Sequence, residues 1–303
     1  FVTTVLGEEP EGDGPDEWLS ELGQWVDENS VTVKRTLKGA NREFDVTLDS
    51  FEATIEPALG GGKLSTSDLG SEDDLDAVLE EAETFADTRE LFGVEEGGKS
   101  LWERFSNELD TMTSLYPNAS VTTSMRATAE SNTVPSVTTV ESRLRDAKGH
   151  RVDETSAQYR RITGNSTTES APDAICDDLK VWLRSNEEDV RGTVDAATAE
   201  FSDVDLATLF ETAWDGEPLS ERTVVDTAVV QQAEAYATVR ELFDDSDGES
   251  LWSQLEDAAR ELRSEHPETL TRESVDAVLT SSTPPTPTRV DDLIEEAKDP
   301  ISG

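Results

Sequence analysis

Apolar residues recur along the chain at intervals of three and four. Leu75, Val78, Leu79, Ala82, Phe85 and Ala86 follow this spacing, as do Val229, Val230, Ala233, Tyr236 and Ala237. Such spacing lines one face of an α-helix with apolar side chains. Leu101, Trp102, Phe105, Leu109 and Met112 form a further face of this kind, and Leu251, Trp252, Leu255, Ala259 and Leu262 form another. Thr286 before Pro287 reads as an N-cap followed by proline at the first helical position, opening a helix over 287–298. The pattern predicts an all-α fold with about six helices per half and little or no β-sheet. FVTTVL, at 1–6, stands apart: its β-branched residues read as a short strand, and no second strand follows to pair with it.

The two halves resemble each other. PDEWLSELGQWV from Pro15 lies over PDAICDDLKVWL from Pro172, so that Leu22 meets Leu179, Trp25 meets Trp182 and Phe44 meets Phe201. LEEAETFADTRELF, ending at Phe92, lies over VQQAEAYATVRELF, ending at Phe243. Leu101 and Trp102 lie over Leu251 and Trp252, and the register persists through Pro117 and Pro267, Pro135 and Pro285, and Val140 and Val290. The second copy is shorter around GGGKLSTSDLG (60–70) and again at GVEEGGKS (93–100). Length changes confined to Gly- and Ser-rich stretches mark surface loops. We therefore expect an N-terminal strand or linker over 1–11, a helical unit over 12–150, a linker over 151–169 and a second unit over 170–303. The four matched tryptophans, Trp25, Trp102, Trp182 and Trp252, read as core residues.

Charge changes the picture next. The 303 residues carry a formal net charge of −43, from 68 acidic and 25 basic side chains, and of the basic ones only 7 are lysine. An acidic excess with scarce lysine suits work in molar salt, where a Debye length of about 3 Å leaves like charges hardly repelling. In dilute buffer the same charge opposes compaction. Monovalent salt is therefore expected to be needed for stability. Composition alone does not separate this reading from an acidic mimic of DNA. The apolar spacing is too regular for a disordered acidic chain. No stretch reads as a signal peptide or a membrane span, so a soluble, cytoplasmic protein with no membrane partner is expected. The chain opens at Phe1 and closes on Ile301, Ser302 and Gly303, and reads as a piece of a longer polypeptide.

Candidate chemistry is sparse. GVEEGGKS fits the G-x-x-x-x-G-K-[ST] pattern of a phosphate-binding loop, which needs a strand before it and a helix after it. What precedes it, AETFADTRELF, has helical period. Glu95 and Glu96 would stand where an anion must be received, and the matched turn of the second copy has Glu249 in place of Lys99. The stretch reads as a helix–helix turn with Ser100 as the cap of the next helix. The only histidines, His150 and His266, are far apart in sequence and neither is near Cys176, which disfavours a His/Cys metal site. The single cysteine permits no internal disulfide, and it aligns with Leu19 as a core residue. No cofactor and no catalytic residue are expected.

The basic residues are unevenly spread. Lys34, Arg35, Lys38 and Arg42 fall on roughly one helical face, and the aligned stretch EEDVRGTVDAATAE keeps only Arg191. Arg143, Arg145, Lys148, Arg151, Arg160 and Arg161 form a second cluster. These ten residues are the candidate contacts for a protein partner, or for nucleic acid in an alternative reading.

FVTTVLGEEPEG, a helix ending WVDENSVTVKRTL, and helices of the AETFADTRELF and LWERFSNEL kind follow one another over residues 1–110. In texture and order this resembles the helical portion that trails the ATPase core of the large P-loop proteins of BREX phage-defence systems, here of a halophilic archaeon. The resemblance implies that the nucleotide site lies outside this piece, and it carries over no catalytic residue. The expected function is a non-catalytic helical scaffold or interaction module. The rivals are a nucleic-acid-binding adaptor using 34–42 and 143–161, and a nucleotide hydrolase using Lys99 and Ser100.

Overall fold

A computed structural model describes residues 1–69, 72–93, 98–201, 210, 213–215, 218–244 and 248–300. The protein is all-α: these residues form fifteen α-helices and one short 3-10 turn, and no strand occurs among them. The chain divides into two compact units, Phe1–Gly149 and His150–Gly303.

Unit 1 begins with α1 (Val2–Leu6), α2 (Pro15–Glu28), α3 (Ser30–Phe44), α4 (Asp49–Leu59) and α5 (Glu72–Phe92). Their apolar faces meet around Leu22, Val33, Phe51, Ile55 and Phe85, all fully buried. A second cluster forms where α5 meets α6 (Leu101–Leu115), α7 (Ser120–Ala129) and the first part of α8 (Val137–Thr163). Helix α5 serves both clusters, placing Ala82 and Phe85 in the first and Leu91 and Phe92 in the second. Helix α6 starts on a capping box. The Ser100 hydroxyl accepts from the Glu103 N–H at 3.1 Å, and the Glu103 carboxylate accepts from the Ser100 N–H at 2.8 Å.

Unit 2 takes the rest of α8, then α9 (Pro172–Ser185), α10 (Glu187–Glu200), α11 (Glu221–Val224), α12 (Thr227–Phe243), α13 (Leu251–Glu265), α14 (Leu270–Leu279) and α15 (Pro287–Lys298). Its core is one cluster that includes Leu179, Phe201, Phe210, Tyr236, Trp252 and Leu262. Cys176 lies in it, 1% exposed, and burial pushes its thiol up to about 12, with the nearby carboxylates of Glu221, Asp173 and Asp177 adding to the shift. Ser250 and Thr286 cap α13 and α15 through their side-chain oxygens.

Specific contacts recur in both units. Phe44 and Trp102 meet edge to face at 4.7 Å and 71°, and Phe201 and Trp252 at 5.0 Å and 71°. Phe92 lies 6.2 Å from Phe44, and Phe243 lies 6.3 Å from Phe201. Asn29 donates from Nδ2 to the Trp25 carbonyl at 2.8 Å, and Asn186 does so to Trp182 at the same distance. Arg89 donates to the carbonyl of Val5 and Arg240 to that of Ile162, each just before a left-handed glycine, Gly7 at φ 83° and Gly164 at φ 76°.

Two expectations change. FVTTVL is helix, not strand. Its strand preference yields to tertiary burial: Val5 is fully buried against α5, Gly7 supplies the left-handed C-cap and Arg89 takes up the Val5 carbonyl. The segment 151–169 is not a linker through most of its length. Residues up to Thr163 continue α8, and Thr155, Gln158 and Ile162 are buried. The buried positions keep helical spacing.

The ring contacts and the cap differ in their expected weight. Trp102→Ala should lower stability by about 3–5 kcal/mol, through lost burial and the cavity left behind. Ser100→Ala should cost about 1 kcal/mol. Urea unfolding of both variants checks the order, which a smaller loss for Trp102→Ala would contradict.

Candidate functional site

Helix α3 turns Val33, Thr36, Ala40 and Phe44 into the core. At 3.6 residues per turn this leaves Lys34, Arg35, Lys38 and Arg42 on the outer side, and all four are exposed. Arg42 lies in the last turn, where a cation complements the helix dipole. It pairs with its neighbour Glu43 at 2.5 Å, an exposed contact of small energetic weight. Lys34, Arg35 and Lys38 have no carboxylate within 4.0 Å among the described residues. The chain carries 68 acidic side chains, so three exposed cations without a carboxylate partner among the described residues stand out.

Two features of this surface escaped the sequence. Val31 is 71% exposed and lies three residues before Lys34 and seven before Lys38, on the same side of α3. A search for apolar residues in register with the basic face would have found it. Lys34 and Lys38 also border a cleft of about 250 Å³ between α3 and the start of α4. Leu37, Val46 and Leu48 give it apolar walls, and Asp49 and Glu52 stand on the α4 side. One continuous stretch, residues 34–52, forms this cleft as the chain turns from α3 into α4, and no short motif encodes that turn.

The second cluster is not one face. A helix advances about 100° per residue, so Arg143, Arg145, Lys148, Arg151, Arg160 and Arg161 point in different directions around α8. The division between the units also falls inside the cluster. Arg151 is structural. Its guanidinium grips Glu221 through Nε at 2.9 and 3.0 Å and through a second nitrogen at 2.5 Å, and Glu221 is only 4% exposed. Arg161 pairs with Glu234 at 3.4 Å and Arg143 with Asp146 at 3.8 Å. Arg145, Lys148 and Arg160 are exposed.

The Walker-like stretch sits between helices. Helix α5, not a strand, runs up to Phe92, residues 94–97 lie outside the described residues, and Lys99 is exposed. Ser100 is 3% exposed, with its hydroxyl engaged in the cap of α6. Among the described residues no group of three or more His, Cys, Asp or Glu side chains is placed to hold a metal ion. No helix among them is long and apolar enough to cross a membrane. No protein-family model, no curated protein sequence and no solved structure matches this chain.

Removing Arg151 takes the bidentate guanidinium from the buried Glu221 carboxylate, and breaking a buried ion pair typically costs about 3–5 kcal/mol. Arg151→Ala should therefore destabilise the protein by that order. Arg145→Ala and Lys148→Ala should stay within about 0.5 kcal/mol of wild type. Thermal and urea melts of the three variants separate the structural arginine from the surface cations; equal, small losses would refute the assignment.

Proposed function

We propose that this chain is a non-catalytic helical scaffold whose unit 1 docks an anionic partner on the outer face of α3. The observation that carries the reading is the exposed set Lys34, Arg35 and Lys38, without carboxylate partners among the described residues of a chain of net charge −43. Val31 and the neighbouring cleft supply the apolar component that a contact at high salt requires, since screening weakens a purely electrostatic one. A protein partner suits this mixed surface better than nucleic acid, whose binding falls steeply with salt.

The two units are, in this reading, copies of one ancestral unit. The recurring ring contacts, asparagine bonds and arginine caps support it. The copies share their cores and differ on their surfaces, so the α3 face is a property of unit 1 and unit 2 extends the scaffold. The BREX-like resemblance would make the scaffold part of a larger phage-defence P-loop protein from a salt-adapted cytoplasm.

The contact is tested by changing Lys34, Arg35, Lys38 and Arg42 together to Glu, then capturing partners from a high-salt lysate. Wild type should retain a protein partner that the variant loses, with both folded by circular dichroism. Equal retention by both would remove α3 as the contact. Loss of nucleic acid alone would favour the adaptor reading.

Salt adaptation has its own test. Dialysis from molar KCl to about 0.1 M lengthens the Debye length from about 3 to 10 Å and restores repulsion within the acidic surface. Helicity or the cooperativity of thermal unfolding should fall on that dialysis, and a melting curve unchanged by salt would contradict the idea.

A further inference from the structure

Unit 2 contains a cavity of about 590 Å³ between α9, α10 and the end of α12. Its aromatic wall comes from Trp182, Tyr236 and Phe243, and the Thr193 hydroxyl, also on the lining, donates to the Asp189 carbonyl at 3.0 Å. A volume in this range, with rings and a few polar groups, suits a small ligand.

The matched place in unit 1 is closely packed. There Gly39 of α3 receives the Phe92 ring so closely that a Cβ on Gly39 would lie 3.1 Å from three ring carbons. The residue matched to Gly39 is Ala196, which lines the cavity, as does the matched ring, Phe243. Ala196 carries a methyl group where Gly39 has none, and both Ala196 and Phe243 face the cavity. In unit 1 the Arg89 guanidinium also lies 5.2 Å over the Trp25 ring, so the chain's own cation covers that aromatic face. Arg240, the matched arginine, does not lie over Trp182 in this way.

Charge at the cavity has moved in one direction. Asp189, Gly192 and Asp244 line it where unit 1 has Thr32, Arg35 and Gly93. Each of the three differences makes the unit 2 site more negative. One cation, Arg240, is itself part of the cavity lining, and Arg191 lies next to it in sequence between the lining residues Val190 and Gly192. Arg240 directs one guanidinium nitrogen to the Ile162 carbonyl at 2.7 Å, at the end of α8, where the helix dipole is negative. Arg191 pairs with Glu187 at 2.9 Å and lies 4.0 Å over Trp214.

We propose that this cavity binds a small alkylammonium ion, held against the rings of Trp182 and Phe243 within the field of Asp189 and Asp244. Such a cation is weakly hydrated, so it sheds water to enter an aromatic wall more readily than sodium or potassium, and ring faces attract it. Ionic strength weakens the field of the carboxylates but not the ring contact.

Choline is the probe, titrated into the full chain in the salt that keeps it folded. Calorimetry and saturation transfer to the choline methyl protons report binding, and 3,3-dimethylbutan-1-ol serves as the uncharged analogue of the same shape. Choline should bind saturably at one site, at least tenfold tighter than the alcohol. Asp189→Asn with Asp244→Asn, both exposed positions, should weaken choline about tenfold and leave the alcohol unchanged. Trp182→Ala should weaken both, with circular dichroism confirming the fold of each variant. Absence of saturable choline binding by both methods, equal binding of choline and the alcohol, or an unchanged affinity in the double variant would each overturn the proposal.

Discussion

Three aromatic rings meet in each unit, and the placement of the surrounding helices depends on them. Phe44 is the last residue of α3, Phe92 the last of α5, and Trp102 the second of α6. In unit 2 the rings are Phe201 at the C-cap of α10, Phe243 at the end of α12 and Trp252 at the start of α13. Each trio therefore ties three helix ends together at one point. Edge-to-face and tilted contacts at 4.7–6.3 Å satisfy the ring quadrupoles while burying large apolar areas. A helix pinned at one end can still rotate about its axis. The small residues inside the crossing, Gly39 and Ala40 in α3, remove that freedom by admitting the partner helix on one side only.

The surfaces with chemical character follow from that pinning. With Val33, Thr36, Ala40 and Phe44 turned inward, Lys34, Arg35 and Lys38 are held outward on the same helix. In unit 2 Ala196, which the sequence register sets opposite Gly39, lines a cavity between α9, α10 and the end of α12. The buried Arg151–Glu221 pair belongs to the core itself. Its charges are bidentate and largely shielded from water, so salt screens them far less than the acidic surface around them.

Most of the architecture was legible from the order of residues. The helices, the caps at Ser100 and Thr286, the burial of Cys176 and of Trp102 and Trp252, and the exposure of the α3 cations all rest on interactions within one or two turns. Side chains three and four residues apart share a face whatever the rest of the chain does, and a cap bonds to a neighbour three residues on. The sequence by itself therefore determined which stretches are helical and which of their faces are polar. It did not determine the state of FVTTVL, because burial of Val5 and the Arg89 bond to its carbonyl come from a helix more than eighty residues away. It did not separate Arg151 from Arg145 and Lys148, because the carboxylate that claims Arg151 is seventy residues distant. Nor did it disclose the cleft beside Lys34 or the cavity beside Trp182. Empty space has no residue of its own: it is set by how closely two helices pack, and only the tertiary structure decides that distance.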